Sequence, residues 1–211
     1  MIALPGKADI NLLEPFTCLG REDVQMVVTQ QQAEAALAGL EAVTVVGFDT
    51  ESKPTFRVGE QSEGPHVVQF ATLDRAFVFQ VHEAAVYDTL AMILASQVII
   101  KVGFGLGSDV ANIARRFGVQ PGGIVDLNAR FSALGYRKTI GARQAIAMLF
   151  GKRFIKSRKT STSNWANRTL TDRQILYAAN DAYAAVRVHQ ALLAADANGK
   201  AYAKDERLIS P

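Results

Sequence analysis

The sequence predicts an α/β fold, a mixed central sheet flanked by helices. Three observations predict it. Val43–Asp49 is an almost unbroken apolar run, the pattern of a strand buried on both faces. Two further short apolar runs, Val67–Ala71 and Ala76–Gln80, are separated by Thr72-Leu73-Asp74-Arg75. They read as a hairpin that extends the first strand into a three-stranded meander. Beyond the meander, strands and helices alternate, which places helices over the sheet.

The other elements follow in chain order. Residues 1–22 carry scattered Pro and Gly without a clear period, and are expected as an arm lying on the domain or partly disordered. Val24–Thr29 is a candidate strand. Gln31–Leu40 is rich in helix formers. Ser52–Pro65 contains two prolines and two glycines and reads as a loop. Ala84–Leu94 reads as a helix and Val98–Val102 as a short strand. Leu106–Phe117 is a helix with Leu106, Val110, Ile113 and Phe117 on one side. Gly122–Asp126 is a brief strand, Asn128–Leu134 and Gly141–Phe150 are helices, and Arg153–Arg168 is polar and irregular. The last helix starts near Thr171, where Thr171 and Gln174 fit a capping box. It runs to about Ala195, with Ile175, Leu176, Ala179, Tyr183 and Val186 on its buried side. The expected domain is therefore 23–197, between the arm (1–22) and a charged tail (198–211).

A chain of 211 residues is long enough for one domain with a sizeable core. Its 49% hydrophobic and 20% charged residues are ordinary for a globular domain. No apolar run has the length of a bilayer span, so no membrane partner is expected. The N-terminus lacks the basic start and apolar core of a secretion signal, and Cys18 is the only cysteine, so no internal disulfide forms. A reducing, cytoplasmic setting is the expectation. The net charge of +3 conceals an asymmetry. Between Asp126 and Asp172 there are ten basic residues and no acidic one, whereas the remainder carries thirteen basic against twenty acidic. A concentrated positive segment on an otherwise acidic chain points to a polyanion, and nucleic acid is the expected partner.

The central strand ends in Asp49-Thr50-Glu51. Residues two apart on a strand share a side of the pleat, so the two carboxylates lie together. In a buried setting they repel and resist ionising together. Divalent cations remove that penalty, and hard carboxylate oxygens suit Mg²⁺ or Mn²⁺. Taken alone, the pair better fits a strand running out into a solvated acidic turn. Asp109, in KVGFGLGSDVANI, falls in the first turn of a helix directly after a strand, where the helix N-terminus favours a carboxylate. Tyr177 and Asp181, in YAANDAY, are four apart and share one helix face. Ala178 and Ala179 beside them leave room for another element to approach closely.

These four carboxylates and one phenol, in this order, resemble the DEDD superfamily of 3′–5′ exonucleases. VGFDTES, KVGFGLGSD and YAANDAY look like its three motifs. Leu176 stands where the histidine-bearing branch has His, so Tyr177 points to the tyrosine branch, which includes ribonuclease D-like and Werner-type exonucleases. The resemblance covers roughly residues 24–195. It implies a ribonuclease H-like (DnaQ-like exonuclease) fold and catalysis with two divalent cations, Mg²⁺ or Mn²⁺. It implies that Asp49 contacts both ions, that Glu51 and Asp181 complete the site of the attacking water, that Asp109 supports the second ion, and that Tyr177 positions the water. Catalytic residues are then Asp49, Glu51, Asp109, Tyr177 and Asp181, the four carboxylates being the metal ligands.

Candidate nucleic-acid contacts are Thr50 in the first motif and Lys156, Arg158, Lys159, Asn164 and Arg168 in the basic segment. Trp165 either stacks on a base or anchors an irregular loop. Phe104 and Leu106 are candidate wedges against the terminal nucleotide. DNA is expected over RNA, because ribonuclease D-type enzymes continue into helical RNA-binding domains and few residues follow the last helix here. RNA trimming, or a binding module without catalysis, are the alternatives.

Overall fold

The structure, a computed structural model, describes residues 4–55 and 62–197. Its strands are β1 (Val24–Val27), β2 (Val45–Glu51), β3 (Val67–Ala71), β4 (Ala76–Gln80), β5 (Ile100–Gly103) and β6 (Ile124–Asp126). Its helices are α1 (Lys7–Leu12), α2 (Gln30–Glu41), α3 (Tyr87–Ala95), α4 (Gly107–Phe117), α5 (Leu127–Ala133), α6 (Ala142–Phe150), α7 (Arg158–Ser161) and α8 (Asp172–Ala197). The six strands form one mixed sheet in the order β1-β4-β3-β2-β5-β6. The expected antiparallel meander is β2-β3-β4, and β1, β5 and β6 join by parallel pairing.

β2 is shifted by two residues from the expected Val43–Asp49 strand. The ladder continues through Thr50 to Glu51 because β3 pairs along that whole length, and the His66 N–H donates to the Glu51 carbonyl at 2.9 Å. Asp49 and Glu51 are thus held inside a strand, not in a turn. The helix expected at Ala84–Leu94 opens as a 3₁₀ turn, Ala84–Val86, before α3. The segment expected to be irregular, Arg153–Arg168, contains the short α7, whose Thr160 N–H donates to Ser157 Oγ at 3.3 Å. The expected tail, 198–211, and loop residues 56–61 lie outside the described residues.

Alternation along the strands builds a core on each side of the sheet. Val46, Phe48, Val68, Phe70, Phe77 and Phe79 pack with α2, α3 and α4. Val67, Ala71, Ala76 and Val78 pack with α6 and α8. Lys101, in β5, is fully buried. Its Nζ donates to the carbonyls of Ile93, Ser96 and Ile99 at 3.0, 2.9 and 2.7 Å, bonding acceptors at the end of α3 and in the turn that leads to β5. No helix among the described residues is long and apolar enough to cross a membrane.

α8 positions the site. It opens with the expected capping box: the Thr171 N–H donates to Gln174 Oε1 at 3.1 Å, and the Gln174 N–H to Thr171 Oγ1 at 3.3 Å. Ala178, Ala179, Ala182 and Ala185 give it a face of small, buried side chains. Across from that face lies Gly47, where a Cβ would stand 1.8 Å from the Ala182 carbonyl oxygen. The helix backbone therefore rests directly on β2. The arm closes the far side. Phe16 and Leu19 are buried, and the Leu19 N–H donates to Asn180 Oδ1 at 2.8 Å while Asn180 Nδ2 donates back to the Leu19 carbonyl at 3.3 Å.

Gly47→Ala is expected to cost about 3 kcal/mol, the upper end of ordinary overpacking, read as the urea midpoint. Gly107→Ala, inside α4, where an added Cβ meets nothing within 4 Å, is the control and should not lower the midpoint.

Candidate active site

Asp49 and Glu51 lie on the face of β2 that α8 covers, together with Gly47. Asp181 is the residue before Ala182, at the point of helix–strand contact. One carboxylate oxygen from each of Asp49, Glu51 and Asp181 lies within 4.8 Å of the other two. Asp181 is 4% exposed. Its Oδ2 pairs with Lys156 Nζ at 2.6 Å, and its Oδ1 is buried with no hydrogen-bond partner in the protein. A buried, unpartnered carboxylate oxygen facing two more carboxylates is a donor set for hard divalent cations, so the residues present fit the implied ions.

The electrostatics agree. Burial, then the charges of Asp49 and Asp181, push Glu51 up to about 9. Asp49 is raised by burial and by Asp181, with Lys156 opposing. Asp181 is raised by burial, again against Lys156. Burial opposes the charge on Lys156, but Asp181, Tyr177 and Asp49 lift it above the ordinary lysine range. Its ammonium also lies 5.2 Å from the centre of the Tyr177 ring. Burial and the Asp181 charge push the Tyr177 phenol up to about 12, so it is a proton donor at neutral pH.

Asp109 stands beside the three clustered carboxylates rather than among them. The Thr50 hydroxyl donates to Asp109 Oδ1, tying the first turn of α4 to β2. Burial raises Asp109, and the Thr50 hydroxyl opposes that. Sequence reasoning missed Asp126, which sets the turn leading into α4. Its carboxylate accepts from the N–H groups of Gly105, Leu106 and Asn128 at 3.0, 3.0 and 2.9 Å. A signal was present in the form of an Asp closing a strand directly before a helix.

Several expected nucleic-acid contacts are placed elsewhere. Leu106 is 1% exposed and belongs to the core under α4, so it is not a wedge. Phe104 is half-buried against the core on the α8 side. Trp165 is 1% exposed, donates from Nε1 to the Ser161 carbonyl at 3.1 Å, and packs on Tyr177 with ring centres 5.9 Å apart. It is the loop anchor, not a base-stacking platform, because α7 and α8 enclose it. Lys156 turns inward to the carboxylates instead of outward. Asn164 spends its side chain on Asn167 Oδ1 and the Ala166 N–H. Arg158, Lys159 and Arg168 are exposed. A cleft of about 390 Å³, lined by Lys7, Ile10, Arg143, Gln144 and Lys156 among others, runs between the arm and the start of α6.

The 3′–5′ exonuclease family model matches residues 24–195. The chain belongs to that family. It is 31% identical over 150 residues to the bifunctional 3′–5′ exonuclease/ATP-dependent helicase WRN of Mus musculus, covering 70% of this chain and 11% of that protein. It is 26% identical over 153 residues to a 3′–5′ exonuclease of Arabidopsis thaliana, covering 71% of this chain and 53% of that one. The chain thus spans from a tenth to about half the length of these relatives. Among solved structures it is similar to the Aedes aegypti Nibbler EXO domain, with a TM-score of 0.73 at 22% identity over 86% of this chain and 92% of that one. It is also similar to the Trypanosoma brucei RNase D complex with RNA U12, with a TM-score of 0.71 at 21% identity over 81% of this chain and 62% of that one. The fold is the expected ribonuclease H-like one.

Burial raises Glu51 to about 9 and raises Asp49 with it, whereas carboxylates of an unfolded chain release their protons near pH 4. The folded state therefore binds more protons than the unfolded state from about pH 4 to 9, and stability without divalent ions must fall as pH rises through that window. In chelator, the melting temperature is expected to drop between pH 5 and pH 9. Glu51→Gln should flatten this slope, and added Mn²⁺ should reverse it.

Proposed function

We propose that this chain is a divalent-cation-dependent 3′–5′ exonuclease that removes nucleoside 5′-monophosphates one at a time from the 3′ end of a nucleic-acid strand. The convergence of Asp49, Glu51 and Asp181 oxygens within 4.8 Å, in a chain of the exonuclease family, carries the proposal. When bound there, a pair of ions such as Mg²⁺ or Mn²⁺ supplies a nucleophile at neutral pH and neutralises charge on the attacking and leaving oxygens.

The chain's own residues do the rest. Asp49, Glu51 and Asp181 hold the ions, and Asp109, braced by Thr50, supports the second from the α4 side. Tyr177, a donor rather than a base, orients the attacking water. Lys156 keeps Asp181 in place while leaving one of its oxygens free. Arg158, Lys159 and Arg168 offer the strand backbone a positive surface, and Lys7 and Arg143 extend it along the cleft. DNA is the first substrate proposed, supported by the 31% identity to an exonuclease that is also a helicase. RNA is the second reading, favoured by the fold shared with an RNase D solved with RNA. A cytoplasmic setting remains part of the proposal.

Incubation with 5′-labelled DNA and RNA of matched sequence, with Mg²⁺, Mn²⁺ or chelator, tests both readings. The expected product is a stepwise ladder from the 3′ end, absent in chelator, and its template decides the substrate. Asp49→Ala and Asp181→Ala should abolish the ladder without unfolding the protein. Tyr177→Phe should slow turnover by about a hundredfold, within the range of positioned proton donors, with Mn²⁺ binding retained; unchanged turnover would remove the phenol from the reaction. Replacing Arg158 and Lys159 by Gln should weaken binding and lower the salt slope by about 0.7 per lost phosphate contact on single strands.

A further inference from the structure

One buried side chain on the face that carries the site has no role in the account above. Gln69 lies in the middle of β3, fully buried, and neither its Oε1 nor its Nε2 has a hydrogen-bond partner in the protein. Its apolar neighbours on that face of the sheet are Val67, Ala71, Ala76 and Val78, surroundings that Leu or Met would also fill. A buried amide with nothing to bond costs folding free energy. The chain's other deeply buried glutamines are satisfied. Gln80 Nε2 donates to the Asn167 carbonyl at 3.0 Å, and Gln174 bonds Thr171, Ser163 and the Asn164 carbonyl. Gln69 is an exception that packing does not explain.

The register supplies a reason. Gln69 is directly opposite Asp49 in the antiparallel pair of β3 with β2. Opposite residues on one sheet face have Cβ atoms about 5 Å apart, within reach of a glutamine amide to a carboxylate. Asp49 Oδ1 already accepts the Thr50 N–H at 2.9 Å, which leaves Oδ2 to be fixed. We infer that Gln69 is a positioning residue for Asp49: with the site loaded, its Nε2–H donates to the Asp49 carboxylate and holds it in the orientation that grips the cations. Outer partners of this kind fix the rotamer of a ligand and raise its basicity. The inference rests on the exonuclease reading, since only a cation-binding Asp49 needs such orientation.

Gln69→Met keeps the volume and removes both polar atoms, and Gln69→Leu is a second variant should Met pack poorly. Two quantities are measured: the melting temperature in chelator, and Mn²⁺ affinity by calorimetry. A positioning role predicts an unchanged or higher melting temperature, because an unpartnered amide is gone, together with Mn²⁺ affinity weakened about tenfold. A lower melting temperature in chelator for both variants would make the amide structural and overturn the inference. So would unchanged Mn²⁺ affinity. If the wild-type protein itself binds no Mn²⁺, the exonuclease reading fails first; if it binds and the variants match it, only the role of Gln69 fails.

Discussion

The structure depends on the contact between α8 and β2 at Gly47. A helix backbone seldom rests on a strand at this distance, since side chains normally hold the two apart. Here Gly47 removes the obstacle on one side and the alanines of α8 remove it on the other, down to the 1.8 Å that a Cβ would find to the Ala182 oxygen. Asp181 adjoins Ala182 in sequence, and Asp49 and Glu51 share the face of Gly47. The convergence of the carboxylates is therefore a consequence of the small-residue seam. Burial of Ile175, Val186, Val188 and Leu192 on the same helix contributes about 6 kcal/mol at about 1.5 kcal/mol each and helps hold the carboxyl groups together.

What the fold forces together it only partly compensates. Among the described residues Lys156 is the one cation bonded to the cluster, and it serves one oxygen of Asp181. The raised Glu51, Asp49 and Asp181 record the remainder. Sites of this kind depart locally from what stability alone would select. Among the described residues the departure centres on the carboxylates and Gln69, with Arg153 Nε the other buried atom left without a partner. Lys101, the Thr171–Gln174 box and the Asn180–Leu19 pair, by contrast, are buried polar groups that have their partners.

Much of this was legible in the sequence. The meander, the capped last helix and the order of the five site residues follow from period, capping chemistry and motif spacing, because each is encoded locally. The misplacements share a physical cause. The end of β2 is set by β3 pairing past Asp49, a non-local fact that an apolar run cannot announce. Leu106 and Trp165 lie close in sequence to candidate site residues, yet which way a side chain turns is decided by the elements that close over it, α4 in one case and α7 with α8 in the other. Lys156 was visible as a charge in a basic segment, but not as the single residue of that segment drawn inward by Asp181. Gln69 gave no signal, since a lone Gln in an apolar strand looks like an interruption until its cross-strand neighbour is known.

The inward placement of Leu106 and Trp165 changes how a strand must be held. With both in the core, Phe104 is the aromatic or large apolar group of the expected contacts that is not fully enclosed. Under the proposed function, grip then falls to charge: Arg158, Lys159 and Arg168 on the surface, and Lys7 and Arg143 along the cleft. Charged side chains recognise phosphate, which every nucleotide carries, so binding of this type is indifferent to base identity and sensitive to salt. An exonuclease that must advance one nucleotide at a time along any sequence requires that indifference. It also explains why the pattern of basic residues does not distinguish DNA from RNA, since the group they meet is common to both and the 2′-hydroxyl is not.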